Sequence, residues 1–153
     1  MNPSDELRVV AMPGSLNKRS GWFGPADPLA EAWLPVVGPA CFVLWQKLAQ
    51  HLLANGGAMA TSLREMARAA GLAETSGHQS GIMRTLRRLE RFGVIWRPDE
   101  RVLVVRCRLP ALDPARLERL RPTTEELRDG LRESAVKQRP QADWTTGDPP
   151  AIE

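Results

Sequence analysis

SGIMRTLRRLERFGVI, residues 80–95, repeats apolar side chains at helical spacing and then changes its rhythm at a glycine. Ile82, Leu86 and Leu89 share one face with Gly93, while Arg84, Arg88 and Arg91 lie opposite and Arg87 flanks them. Ser80 and Gly81 extend the polar face toward the N-terminal end, and Glu90 is the acid that opposes its charge. The spacing predicts a helix over about Gly77–Phe92. Past Gly93 the apolar period falls to two. Val94–Arg97 and Val102–Leu109 then read as two strands joined by the turn Pro98-Asp99-Glu100-Arg101, a β-hairpin.

Upstream, TSLREMARAAGL at residues 61–72 opens with Ser62 three residues before Glu65, the reciprocal capping pair of a helix start, and closes at Gly71. Leu63, Met66, Ala67 and Ala70 give this short helix its apolar face. A polar turn from Ala73 to Gly77 leads on to the basic helix. Before it, Gly38-Pro39 opens a longer helix that Asn55-Gly56-Gly57 closes, proline being tolerated at a first helical position. Val37, Ala40, Cys41, Leu44, Leu48 and Leu52 form its broad face. Phe42, Ala49 and Leu53 form a second strip on the opposite side, which needs a cover of its own.

Farther out the signals weaken. Residues 1–35 are rich in Pro, Gly, Ser and Asn without sustained periodicity and read as a flexible arm. Within it Trp22, Phe23, Leu29, Trp33 and Leu34 stand close together, too much apolar surface to leave in water, so this part is expected to pack on the domain or on a second subunit. Downstream, Leu117 and Leu120, then Leu127, Leu131 and Ala135, predict a helical extension over 111–137, and residues 138–153 read as a disordered tail.

Composition narrows the function classes. A chain of 153 residues that is 42% hydrophobic can bury one core without staples. No apolar run approaches the roughly 20 residues that span a bilayer, and a soluble cytoplasmic protein is expected. Cys41 and Cys107 sit far apart in apolar patterns, as buried thiols do, and His51 and His78 have no ligand-spaced companions, so no metal or cofactor is expected. Glycine-rich phosphate loops, a nucleophile elbow and paired carboxylates in an apolar setting are all missing from the sequence, which argues against an enzyme. The net charge of +3 is unevenly spread: Thr61–Pro110 carries ten Arg against five acids, whereas residues 111–153 carry seven basic and nine acidic side chains. A local basic excess is the footprint of a phosphate-binding surface. The eighteen Arg against three Lys also fit a GC-rich genome, so that preference alone says little about function.

Helix, short helix, turn, basic helix and hairpin, in that order, predict a mainly α protein with a small β-hairpin. The order resembles the winged helix-turn-helix superfamily of bacterial and phage transcription factors over Val36–Leu109, with residues 36–110 as the domain: a three-helix core plus wing, followed by extra C-terminal helices. LRRLERFGVI at Leu86–Ile95 is similar to the end of the recognition helix and the entry to the wing in MarR-like proteins, and SLREMARAAGL is similar to the preceding helix. The connection Leu72–Ser76 is longer than the tight turn of that pattern, and the hairpin tip is half acidic.

The resemblance implies sequence-specific binding of double-stranded DNA by a transcriptional regulator. His78, Gln79, Ser80 and Arg84 would reach base edges. Arg64, Arg68, Arg87, Arg88, Arg91, Arg97, Arg101 and Arg106 would hold phosphates. A homodimer through Phe42, Ala49, Leu53 and the C-terminal helix would place two such helices on an inverted repeat. Two other readings share the fold: a protein–protein adaptor, and a replication or partition protein of a phage or mobile element. An adaptor would have its helix arginines paired with acids or buried; a DNA binder would present them bare.

Overall fold

The computed structural model of the chain describes residues 5–18, 20–74 and 80–112. The chain begins as a strand, β1 (Leu7–Ala11), passes through a short strand β2 (Trp22–Phe23) and a 3-10 helix (Pro28–Trp33), and turns into a one-turn helix α1 (Leu34–Val37). The long helix α2 (Pro39–Ala54) leads to β3 (Ala58–Thr61), then α3 (Leu63–Ala69) and α4 (Gly81–Arg91). Strands β4 (Ile95–Asp99) and β5 (Val102–Val105) form the hairpin, and β6 (Leu109–Pro110) pairs with β2.

The architecture is α/β, which corrects the expectation of a mainly α protein with a small hairpin. A four-stranded mixed sheet in the order β3-β1-β5-β4 backs the helices, and β2 with β6 makes a second, two-stranded sheet. The residues read as a flexible arm supply an inner strand. β1 runs antiparallel to β3, with Val9 opposite Met59, and parallel to β5, with Val9 opposite Leu103. Strand groups beyond the paired registers are also satisfied: Arg8 N–H donates to the Arg101 carbonyl at 2.8 Å, and Met12 N–H to that of Val105 at 2.7 Å. The hairpin is therefore the margin of a larger sheet and not a free-standing wing.

The helices sit on one face of this sheet. Leu7, Val9, Met59, Leu103, Val105 and Ile95 point into the same core as Leu44, Leu48 and Leu52 of α2 and Leu86 and Leu89 of α4. Val10, Met12 and Val104 point to the other face, where Trp96 packs on them. A strand with both faces covered needs no polar alternation, which is why LRVVA carries so little strand signature.

α2 is apolar nearly all round and is buried accordingly. Its second strip is covered by this same chain: Phe42 and Ala49 are buried, and Gln46, on the same side, donates from Nε2 to the Pro25 carbonyl at 3.2 Å. Phe42 and Ala49 are thus withdrawn from the dimer surface expected of them, and Leu53 stays half-buried. Two tryptophans pin the N-terminal segment and α2 to the strand that follows the hairpin. Trp33 Nε1 donates to the Pro110 carbonyl at 2.8 Å, and Trp45 Nε1 to that of Arg106 at 2.7 Å. The predicted C-terminal helices and tail, residues 113–153, lie outside the described residues.

Both thiols are inert at neutral pH. Burial pushes Cys107 up to about 12, against smaller opposing effects of a hydrogen bond from Ser15 and the charge of Arg108, and burial also raises Cys41 despite nearby Arg88. The protonated thiol is the form the fold favours, so Cys107 contributes stability in full below its unfolded pKa of about 9, and that contribution fades as pH rises from there toward 12. Urea titrations from pH 8 to 11 should show a steeper alkaline loss of stability in the wild type than in Cys107→Ala; equal slopes would show that burial of this thiol is not linked to folding. A second titration tests β1: Val9→Ala should cost about 2 kcal/mol, whereas a loose arm would give no change.

Candidate nucleic-acid interface

α4 owes its limits to local chemistry. Ser80 caps it, its Oγ accepting the Met83 N–H at 3.3 Å, and its own exposure is only 5%. At the other end Val94 N–H donates to the Leu89 carbonyl and Gly93 N–H to that of Glu90, each at 3.0 Å. This pair of bonds closes a helix when the residue after the cap is left-handed, and Gly93 has φ +72°. Ile82, Thr85, Leu86 and Leu89 are buried beneath the helix.

The opposite face is the basic one. Arg84, Arg87, Arg88 and Arg91 are all exposed and, at 100° per residue, fall within an arc of about 100°. Glu90 lies off that arc. Among the described residues Arg84 and Arg91 have no acidic partner. A cleft of about 490 Å³ opens beside the start of this face, between the Gly38–Cys41 end of α2 and the side chains of Leu72, Arg84 and Arg88.

Arg88 has a second allegiance. Its Nε donates to the Val37 carbonyl at 2.6 Å and its Nη2 to the Val36 carbonyl at 3.1 Å, and its guanidinium lies 5.7 Å from the centre of the Phe92 ring. It ties the last turn of α1 to α4, immediately before Gly38, whose φ of +94° turns the chain into α2. Its position in the sequence pattern matches a phosphate contact; its hydrogen bonds make it a strut.

The other expected contacts scatter. Ser80 is spent on the helix cap and is too buried to reach a base edge. His78 and Gln79 fall outside the described residues. Arg64 is exposed on α3, but Arg68 is held by Glu74, with Nη2 to Oε1 at 2.7 Å and Nε to Oε1 at 2.8 Å. Arg101 stands at the hairpin tip, 3.8 Å from a carboxylate oxygen of Asp5, and Arg97 is half-buried in β4. Arg106 lies beyond the other end of β5, its guanidinium between Trp22 at 5.3 Å and Trp96 at 5.0 Å from the ring centres. The structure therefore gathers Arg84, Arg87, Arg88 and Arg91 on one surface and leaves Arg97, Arg101 and Arg106 apart from one another.

Comparison with known proteins adds no analogue to this geometry: no protein-family model, no curated protein and no solved structure matches the chain. Among the described residues no helix is long and apolar enough to cross a membrane.

Sequence reasoning assigned Ser80 and Arg88 to DNA when their neighbours claim them for the fold. A serine three residues before Met83 at a helix start was a legible cap signal; the reach of Arg88 to α1 had no sequence signature. The two roles separate by calorimetry. Arg88→Ala and Ser80→Ala should each lower stability by about 1 kcal/mol, through lost hydrogen bonds and a lost cap. Arg84→Ala and Arg91→Ala should stay within about 0.5 kcal/mol of the wild type.

Proposed function

We propose that the protein binds double-stranded DNA through the exposed face of α4, as a sequence-specific transcriptional regulator. The observation that carries this reading is the single-sign face itself. Arg84, Arg87, Arg88 and Arg91 share one side of an 11-residue helix, Arg84 and Arg91 face no acid among the described residues, and no apolar side chain of the helix interrupts them. Such crowding is unfavourable in isolation and is relieved when a polyanion supplies the counter-charge.

The dimensions suit a duplex. A helix about 10–12 Å in diameter with its side chains matches a major groove about 12 Å wide, so α4, about 16 Å long, can lie in it. Arg84 stands nearest the N-terminal end, where a groove-bound helix approaches base edges, and its fork matches the two acceptors of guanine. Arg87 and Arg91, farther along, suit phosphates. Arg88 holds α1 and thereby keeps the helix in place beneath them.

An adaptor for proteins would pair these arginines with acids of its own chain or bury them. Arg84 and Arg91 are neither paired among the described residues nor buried. That contrast favours DNA over a protein partner.

Fluorescence anisotropy on random duplex DNA across a salt series provides the test. Wild-type affinity should fall steeply with salt, and Arg84/Arg87/Arg91→Ala should flatten the log–log slope by about 2 to 3, one counterion per lost contact. Arg88 is left intact in this variant so that loss of binding is not loss of fold. Absence of binding at low salt, or an unchanged slope in the variant, would remove DNA from this surface.

A further inference from the structure

A second cluster of arginines lies away from α4, where the chain leaves β5. Arg106 and Arg108 line a small cavity of about 20 Å³ together with Trp22 and the turn Pro13-Gly14-Ser15, with Asn17 at its rim. We propose that this pocket is a phosphoryl-oxyanion site. The inference is independent of the DNA reading of α4.

Arg108 is the strongest indication. Its Nη2 makes one long hydrogen bond, 3.3 Å to the Leu16 carbonyl, and Nη1 is pressed against Gly24, where an added Cβ would lie only 2.9 Å away. Its Nε is buried with no hydrogen-bond partner. No carboxylate among the described residues pairs with it. A half-buried guanidinium with one donor used among the described residues carries a desolvation cost that an anion would offset. An orphaned buried N–H beside a cavity is also where an ion or water belongs.

The rest of the pocket defines the class of anion. Arg106 cannot swing away, because the Trp22 and Trp96 rings hold its guanidinium between them. The planar fork of Arg108, with the second positive charge of Arg106 beside it, suits a tetrahedral oxyanion better than a carboxylate-sized organic acid. The cavity holds about one water-sized group, so a phosphoryl oxygen enters while its remaining oxygens stay outside. Ser15 is not the donor for it, because its hydroxyl already donates to the Met12 carbonyl at 2.7 Å. Asn17 is exposed at the rim. The phosphoryl group is either free inorganic phosphate or a phosphodiester of nucleic acid.

The experiment is isothermal calorimetry with inorganic phosphate against sodium chloride of matched ionic strength, on the full chain carrying Arg84/Arg87/Arg91→Ala so that α4 does not contribute. Saturable phosphate binding is expected in this background. Adding Arg108→Gln should abolish it, and adding Asn17→Asp at the exposed rim should weaken it by about tenfold or more, because the new carboxylate repels the anion and competes for the guanidiniums. Should Arg108→Gln fail to fold, Asn17→Asp decides alone, because its side chain supports no described contact. Identical responses to phosphate and chloride, or phosphate binding undiminished by Asn17→Asp, would overturn the proposal. Asn17→Asp in the wild-type background then distinguishes the sources: a matching loss of duplex affinity points to a phosphodiester, and unchanged duplex affinity to free phosphate. Loss of duplex binding in the α4 variant with phosphate binding retained would leave both readings standing, each on its own site.

Discussion

Hydrogen bonds along both edges of β1 are the constraint on which the other elements depend. A strand inserted between β3 and β5 must satisfy donors and acceptors on two sides at once, and it does so antiparallel to one neighbour and parallel to the other. The parallel pairing forces a long crossover. In this chain that crossover runs through the 3-10 helix, α1, α2, β3, α3 and α4 before β5 is reached. All the helices of the described residues consequently belong to the connection between two adjacent strands, and their packing on one sheet face follows from that topology. Removing β1 would expose the inner edges of β3 and β5 and uncover Val104 and Met59 together.

That frame also fixes α4. Its buried face rests on α2 and on the start of β4, and its exposed face is braced by Arg88 through two carbonyls of α1. Since α1 continues from the 3-10 helix anchored by Trp33 to Pro110, a chain of contacts runs from the two-stranded sheet to the basic surface. Residues 28–37 thus brace the candidate interface without supplying any of its arginines. On the DNA-binding reading proposed above, a helix that presents three arginines to a rigid polyanion would gain from such bracing, because ordering it on binding would cost affinity.

The legible parts of the sequence were those whose information is local. The helix cap at Ser62, the Gly93 terminator and the 3.6-residue repeats of α2 and α4 are written in adjacent residues, and so is the alternation of the hairpin; Ser80, expected inside a helix from about Gly77, is instead the cap of one that begins at Gly81. β1 and β3 were missed for physical reasons. AMAT has small side chains and weak strand propensity, and it is a strand because β1 lies beside it. LRVVA, between the acids at Asp5 and Glu6 and the turn at Pro13-Gly14, did carry a β-branched pair, but burial on both faces removed the alternation by which strands are recognised. The apolar strip of Phe42 and Ala49 was rightly seen to need a cover. Which chain supplied that cover was a question of long-range topology, and Gln46 on Pro25 answers it.

Arginine is the residue for which pattern and role diverge most here. Arg84, Arg87 and Arg91 keep their head groups exposed, Arg68 is neutralised by Glu74, Arg88 hydrogen-bonds backbone, and Arg106 is stacked between two indoles. One side chain serves all four purposes because its guanidinium is at once a fixed charge, a planar stacking surface and a five-donor fork. In a chain with eighteen of them, counting arginines measures only the supply. Function has to be assigned by subtraction: each guanidinium whose donors are already satisfied by carbonyls, carboxylates or ring faces is removed from the surface charge, and what is left is the field a ligand would meet. After that subtraction Arg84 and Arg91 of α4 are left, among the described residues, exposed and without an acidic partner. Arg108 stands apart from them, a half-buried charge with donors unspent.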